Sequence, residues 1–347
     1  MNINVAHTPS SFAATTTRKK QPPTEKAPAD AGAPQTGNEN YNGPRGTFND
    51  FPGRDGYDPD FLGIPLPLPT LDESIRHTAA PLLADPSKIE LKYTNFSVIQ
   101  NKDRATPMMT AVNIDGATFQ NLERKGTWVL DGRIAPEHQT GNEAYSKNDY
   151  DRGHLVRRKD TQSGPNAEQA AGDSFVYTNA ALQHSDLNQK TWLDVENSVL
   201  WGAVATKEKK TVFSGPVFRD DDPAFDNAGL MARATKIPQA FWKVQVWKDE
   251  SKGLQAEAFV ISQKDLIGKP GSKEPYESMT PTKMQTFRVT MDQLEEMTHI
   301  DFGDLPDGAD RTESDAKAIK AAGINLDERP WLNKDKARDD KSKPEAP

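Results

Sequence analysis

Asp151-Arg152-Gly153-His154, followed by Leu155-Val156-Arg157-Arg158-Lys159, sets one histidine among a dense group of cations. A histidine titrates near neutral pH and can take a proton as a general base. Arg152, two residues earlier, offers a planar and permanently charged fork that matches phosphate oxygens. Gly153 lets the backbone approach a ligand or adopt a conformation closed to other residues. The run Arg157-Arg158-Lys159 could add contacts to a phosphate backbone. On these residues alone, an ordinary basic surface loop is an equal reading. The other five histidines (His7, His77, His138, His184 and His299) have no such neighbourhood and read as solvated surface residues.

A second constellation runs from Asn179 through Gln183 to Asn188-Gln189, then Trp192 and Glu196. Ser185 is a good N-cap, and Leu187, Trp192, Val195, Val199 and Leu200 recur near helical spacing, predicting a helix over 185–204. Eight steps at 100° leave an offset of about 80°, so Asn188, Trp192 and Glu196 share a stripe. An amide oxygen and a carboxylate on one stripe suit a hard divalent cation that keeps several waters. The helix start also favours phosphate. The bland alternative is a helix beginning at Asn188-Gln189 with Glu196 on a solvated face.

The elements that must position these groups are mixed. Strands are expected at Tyr93–Gln100, Met108–Ile114 (turning at Asp115-Gly116), Thr127–Leu130 and Ser174–Tyr177. More follow at Thr211–Ser214 (broken by Gly215-Pro216), Phe241–Trp247 and Ala256–Ile261. Thr290 to Gln293 is a capping box opening a short helix through Met297. Without a regular βαβ alternation, this is an α+β domain. Residues 1–50 form a Pro/Ala/Thr-rich tail expected to be disordered, and 51–90 an extended Pro/aromatic arm packed on the domain or a partner subunit. The folded body is expected over 91–326, ending in a charged mobile tail over 327–347. The net charge of −8, from 43 basic and 51 acidic residues, argues against a general nucleic-acid coat but not against one basic cleft. With no cysteine, thiolate nucleophiles, disulfides and Cys-ligated metals are excluded. Phosphate-loop, dinucleotide-binding and nucleophile-elbow motifs are missing, as is any apolar run long enough for a membrane. No secretory signal is recognisable, and the compartment stays open.

The Asp-Arg-Gly-His tetrapeptide, followed by Asn179 and then Leu187-Asn188-Gln189, Trp192 and Glu196, resembles the DNA/RNA non-specific endonucleases, the ββα-metal (His-Me finger) nucleases. Phe213 to Val217, Ile237 to Lys243, Phe287 to Thr290 and Phe302 to Pro306 continue the resemblance in order, so that it covers Tyr93 to Pro306. It implies a central, mostly antiparallel sheet flanked by helices. It implies hydrolysis of phosphodiesters in DNA and RNA with little sequence preference, leaving 5′-phosphate ends. His154 would be the general base, and Asn188 the direct protein ligand of Mg2+, with Mn2+ or another divalent metal an alternative. Glu196 would act from the second shell through water, Arg152 on the phosphate, Asn179 as a support near the base and Arg124 as the upstream arginine. Leu200 stands where some members carry a further arginine, and Leu182 where many have proline. A homodimer and a protein inhibitor are partner expectations, the second because an active non-specific nuclease endangers its host. Two rival readings are a catalytically weak nucleic-acid-binding or interaction protein on the same fold, and a phosphodiesterase acting on small nucleotides.

Overall fold

The computed structural model describes Pro44, residues 46–267 and residues 286–308. Most of the 1–50 tail, His7, residues 309–326 and the 327–347 tail lie outside the described residues. Among the described residues, no helix is long and apolar enough to cross a membrane.

The strands are β1 Glu90–Tyr93, β2 Phe96–Asn101, β3 Thr106–Asp115, β4 Tyr150–His154, β5 Ala180–His184, β6 Lys209–Val217, β7 Ala240–Asp249, β8 Gly253–Ser262 and β9 Thr286–Val289. Seven of them form an antiparallel sheet ordered β9-β8-β7-β6-β3-β2-β1. Period-two alternation gives this sheet two buried faces. Met109, Ala111, Phe213, Trp242, Val244 and Ala258 point to one, and Val112, Ile114 and Val212 to the other. The first face is covered by Tyr57, Leu62, Leu66 and Leu71 of the arm, together with Met291 and Leu294. These last two belong to the helix Met291–Thr298, whose Thr290–Gln293 capping box is formed. Residues 51–69, rich in proline, form no strand or helix, yet Tyr57, Leu62 and Leu66 bury on the sheet; regular structure then returns, with Thr70–Leu71 paired antiparallel to Ile300–Asp301 and a short helix at Glu73–Arg76. The second face receives Val199, Leu200 and Ala203 of the helix Trp192–Thr206.

Several sequence expectations change here for local reasons. Tyr93–Gln100 is two strands rather than one, since Asn95 takes a positive φ of 67° and turns β1 into β2. Gly215-Pro216 does not end β6, which runs to Val217. Its pairing with β3 stops at Ser214, so Pro216 faces β7 alone and its missing N–H removes no bond on the open side. Ser174–Tyr177 makes a single bridge from Val176 to Val129 before a 3₁₀ turn at Tyr177–Asn179. The strand expected at Thr127–Leu130 reduces to Leu130–Asp131, paired in parallel with Phe48–Asn49, so order begins before Phe51.

The turn at Asp115-Gly116 is also where the sheet meets the helix Trp192–Thr206. Gly116 N–H donates to Glu208, and a Cβ at Gly116 would stand 1.9 Å from the Ala203 carbonyl oxygen. Backbone cannot yield as a side-chain tip can. Gly116→Ala is therefore expected to cost on the order of 1–3 kcal/mol by overpacking. A fall of several degrees in the thermal unfolding midpoint checks this, and an unchanged midpoint would refute the contact.

Candidate active site

β4 pairs antiparallel with β5, with Asp151 opposite Gln183 and His154 opposite Ala180. The chain then enters a π-helical turn over Leu187–Thr191 and the α-helix Trp192–Thr206. Two strands and a helix thus form one finger, carrying most of the residues singled out from the sequence. Strand alternation puts Arg152 and His154 on one side of β4, and Asp151 and Gly153 on the other. The room that Gly153 provides is taken by protein rather than ligand: a Cβ there would lie 2.1 Å from Gln183 Oε1.

His154 lies between the rings of Trp128 and Phe175, at centroid distances of 4.8 and 5.4 Å. The Arg152 carbonyl lies near its ring and favours the protonated form, and Nε2 has no hydrogen-bond partner among the described residues. Burial, then the charges of Arg124, Arg158 and Arg152, push its pKa down to about 3. The imidazole is therefore neutral at physiological pH, and a neutral nitrogen is what a base requires.

The arginines around it differ in role. Arg152 donates to Asn142 and sits over Trp128, Tyr145 and Tyr177, 5.5–6.0 Å from the ring centroids. Arg124 lies over Phe175 at 5.3 Å. Arg158 is buried and donates to the carbonyls of Glu123 and Leu122, each at 3.1 Å, pinning the loop that carries Arg124. Arg157 turns inward to Asn197 and Glu196, and Lys159 lies over Trp201. The expected phosphate contacts of Arg157 and Arg158 are thereby replaced by internal ones. Asn179 is fully buried, accepts from Val156 N–H at 2.8 Å, and donates to the carbonyls of Val156 and Ser174. It splices the chain just after His154 and has no amide group left for a substrate.

Asn188 Nδ2 donates to Asp151 Oδ2 at 2.9 Å, as does Gln189 Nε2. This holds the Asn188 amide with its oxygen turned away from the carboxylate, and among the described residues that oxygen accepts no hydrogen bond. A hard carbonyl oxygen left without a hydrogen-bond donor in this way fits a divalent cation that keeps most of its waters. Among the described residues, no group of three His, Cys, Asp or Glu offers a competing metal cage. Asp151 was given no role in the sequence reading. Its position next to Arg152 in β4 was the available signal, because alternation must point it at the helix.

The eight-residue stripe from Asn188 to Glu196 is interrupted by the π turn, in which Trp192 N–H bonds to Leu187. Glu196 is 5% exposed and faces the sheet, 3.8 Å from Lys243 Nζ and 3.7 Å from Arg157 Nε. Burial lifts its carboxyl to about 7, against the pull of Lys243 and Arg157, with buried Asp160 adding to the rise. Lys243, a further residue without a sequence-level role, is lowered by burial, with Glu196 and Asp160 opposing. His184 is not a surface residue: it is 2% exposed, packs edge-on to Tyr150, and its Nδ1 accepts from Asp186 N–H.

The chain matches the DNA/RNA non-specific endonuclease family over residues 78–308. It is 38% identical over 271 residues to the uncharacterized protein y4fB of Sinorhizobium fredii (strain NBRC 101917 / NGR234). That match takes in 74% of this chain and 40% of the relative, so the chain spans well under half of the relative's length. A crystal structure of the EndoG/EndoGI complex aligns at 16% identity with a TM-score of 0.46, over 61% of this chain and 84% of that one. With the family match extending over most of the described residues, this chain belongs to the DNA/RNA non-specific endonucleases.

Proposed function

We propose that the chain hydrolyses phosphodiester bonds in DNA and RNA with little sequence preference, leaving 5′-phosphate ends. The observation that carries this reading is a neutral His154 with a free Nε2, ringed by Arg124, Arg152 and Arg158, on the same strand whose Asp151 holds the Asn188 amide. A phosphate drawn in by Arg152 and Arg124 brings its phosphorus beside the His154 ring. His154 Nε2, buried and without a partner of its own among the described residues, takes the proton of the attacking water. The two guanidinium groups offset the charge that builds on the phosphate oxygens. Mg2+, Mn2+ or another divalent ion, held by the Asn188 amide oxygen, would supply electrostatic stabilisation of the phosphate and leaving oxygen. Asp151 keeps that amide oriented, and Glu196 would hold water of the ion's outer shell. Contacts to phosphate carry no base information, which accounts for weak sequence preference.

Supercoiled plasmid and total RNA incubated with Mg2+, with EDTA, and with His154→Ala test this directly. Both substrates are expected to be degraded only by the unsubstituted chain with metal. His154→Ala should lower the rate by about 10²–10⁴-fold, and Asn188→Ala by about 10²–10³-fold. Absence of cleavage by folded protein under several divalent metals would leave the binding or interaction reading in its place.

The pH dependence has a definite sign. Neighbouring guanidinium charge disfavours imidazolium, so the acidic limb of kcat/KM should lie below the ordinary histidine pKa of about 6.5. Arg124→Ala removes one of those charges and should move the limb to higher pH. A limb that stays in place, or moves lower, would show that His154 is not the group being titrated.

Asp151→Ala releases the Asn188 amide without touching His154. It should weaken activity by about 10–100-fold, with part of the loss recovered at higher metal concentration. A variant with unchanged metal dependence would count against the orienting role of Asp151.

A further inference from the structure

Lys243 lies near the middle of β7, in the sheet, and is 1% exposed. Its ammonium donates to Ser214 Oγ at 2.9 Å and stands 4.7 Å over the Trp192 ring. Its other near neighbour is Glu196 Oε1 at 3.8 Å, while Arg157 Nε approaches Glu196 Oε2 at 3.7 Å. Asp160, also buried, acts on both Glu196 and Lys243 in the same cluster. Four ionisable side chains, two acids and two bases, are thus gathered between the finger and the sheet. Apolar residues of similar volume commonly serve stability as well or better than a buried ion pair, so stability alone does not call for this cluster.

Geometry points to a different use. Glu196 reaches the helix surface from its second turn, and its two oxygens are gripped from opposite elements: Lys243 from the sheet, Arg157 from the segment after His154. Ser214 fixes the ammonium from β6, so the lysine is held on a neighbouring strand rather than on the helix it serves. We infer that Lys243 is a positioning residue of the reaction, clamping the Glu196 carboxylate in one orientation from within the sheet. It touches neither substrate nor metal and acts only through Glu196. The inference rests on the nuclease reading above.

A double-mutant cycle separates this role from simple packing. Plasmid cleavage is measured with saturating Mg2+ for the unsubstituted chain, Lys243→Met, Glu196→Gln and the double variant, with circular dichroism and thermal unfolding confirming the fold. Lys243→Met is expected to lower kcat by about 10²-fold, with KM for plasmid changed less than about twofold. In the Glu196→Gln background the same substitution should add no further loss. Losses that multiply, or a Lys243→Met variant with full kcat, would overturn the inference. If Lys243→Met does not fold, Ser214→Ala, which removes only the hydroxyl beneath the ammonium, goes through the same cycle. A kcat loss that vanishes beside Glu196→Gln supports the clamp, and a loss that persists or never appears overturns it. An unsubstituted chain without any cleavage would overturn the nuclease reading itself, an outcome recognisable before any variant is compared.

Discussion

One carboxylate couples the strands of the finger to its helix. Asp151 Oδ2 accepts from the amides of both Asn188 and Gln189, and charged acceptors make stronger hydrogen bonds than neutral ones. Apolar packing of Leu187 and Trp192 against Leu155, Ala181 and Phe241 also holds the start of the helix, as does the Ser185 N–H donating to the Asp149 carbonyl. Apolar packing sets the distance between helix and strands but not which end of an amide faces outward. The hydrogen bond makes that choice, and the chemistry proposed for Asn188 depends on it. Close approach is a precondition: Gln183 folds over Gly153, where any side chain would collide with it, so β4 and the buried β5 side chain occupy one layer.

On the opposite side of β4 the physics is electrostatic. An imidazole enclosed by Trp128 and Phe175 loses solvation for its charged form, and three guanidiniums disfavour that form further. The same guanidiniums attract an anion. A bound phosphate would offset their field and make the ring more basic as substrate arrives, so in the proposed reaction one set of charges would both recruit the substrate and time the proton transfer. Arg158 contributes without facing substrate, since it secures the loop that brings Arg124 over Phe175.

The legibility of the sequence follows the range of the interactions involved. The tetrapeptide at Asp151–His154 and the Thr290 capping box are local patterns, and each forms the local structure its residues imply. Asn179 could be named as a support, while its actual work, stitching Val156 to Ser174, depends on chain segments that the sequence alone does not bring together. The helix was readable, but the π turn at its start was not, because no residue type there forces an extra residue into the turn. That turn breaks the simple angular argument from Asn188 to Glu196. His184 and Lys243 escaped for a common reason: a polar side chain in an alternating strand gives no sign of whether its face is covered, and here the finger covers both.

The two titratable groups given roles in the proposed reaction load the fold differently with pH. His154 is lowered from its unfolded value, so its neutral form costs nothing at neutrality, and stability drains away only as pH falls below about 6.5 toward the folded value of about 3. Glu196 is raised to about 7, so its contribution is full below the unfolded carboxyl value near 4.5 and is lost as pH rises through the folded one. The base is thus poised at no expense under neutral conditions, whereas the ionised carboxylate is the strained member of the pair. Lys243 and Arg157 both pull against that strain, and each is itself kept from water to do so. A buried acid that the proposed reaction uses in its charged form would explain why the sheet places a lysine where its neighbours Phe241, Trp242 and Val244 are apolar, a position that packing alone would have filled with a hydrophobic side chain.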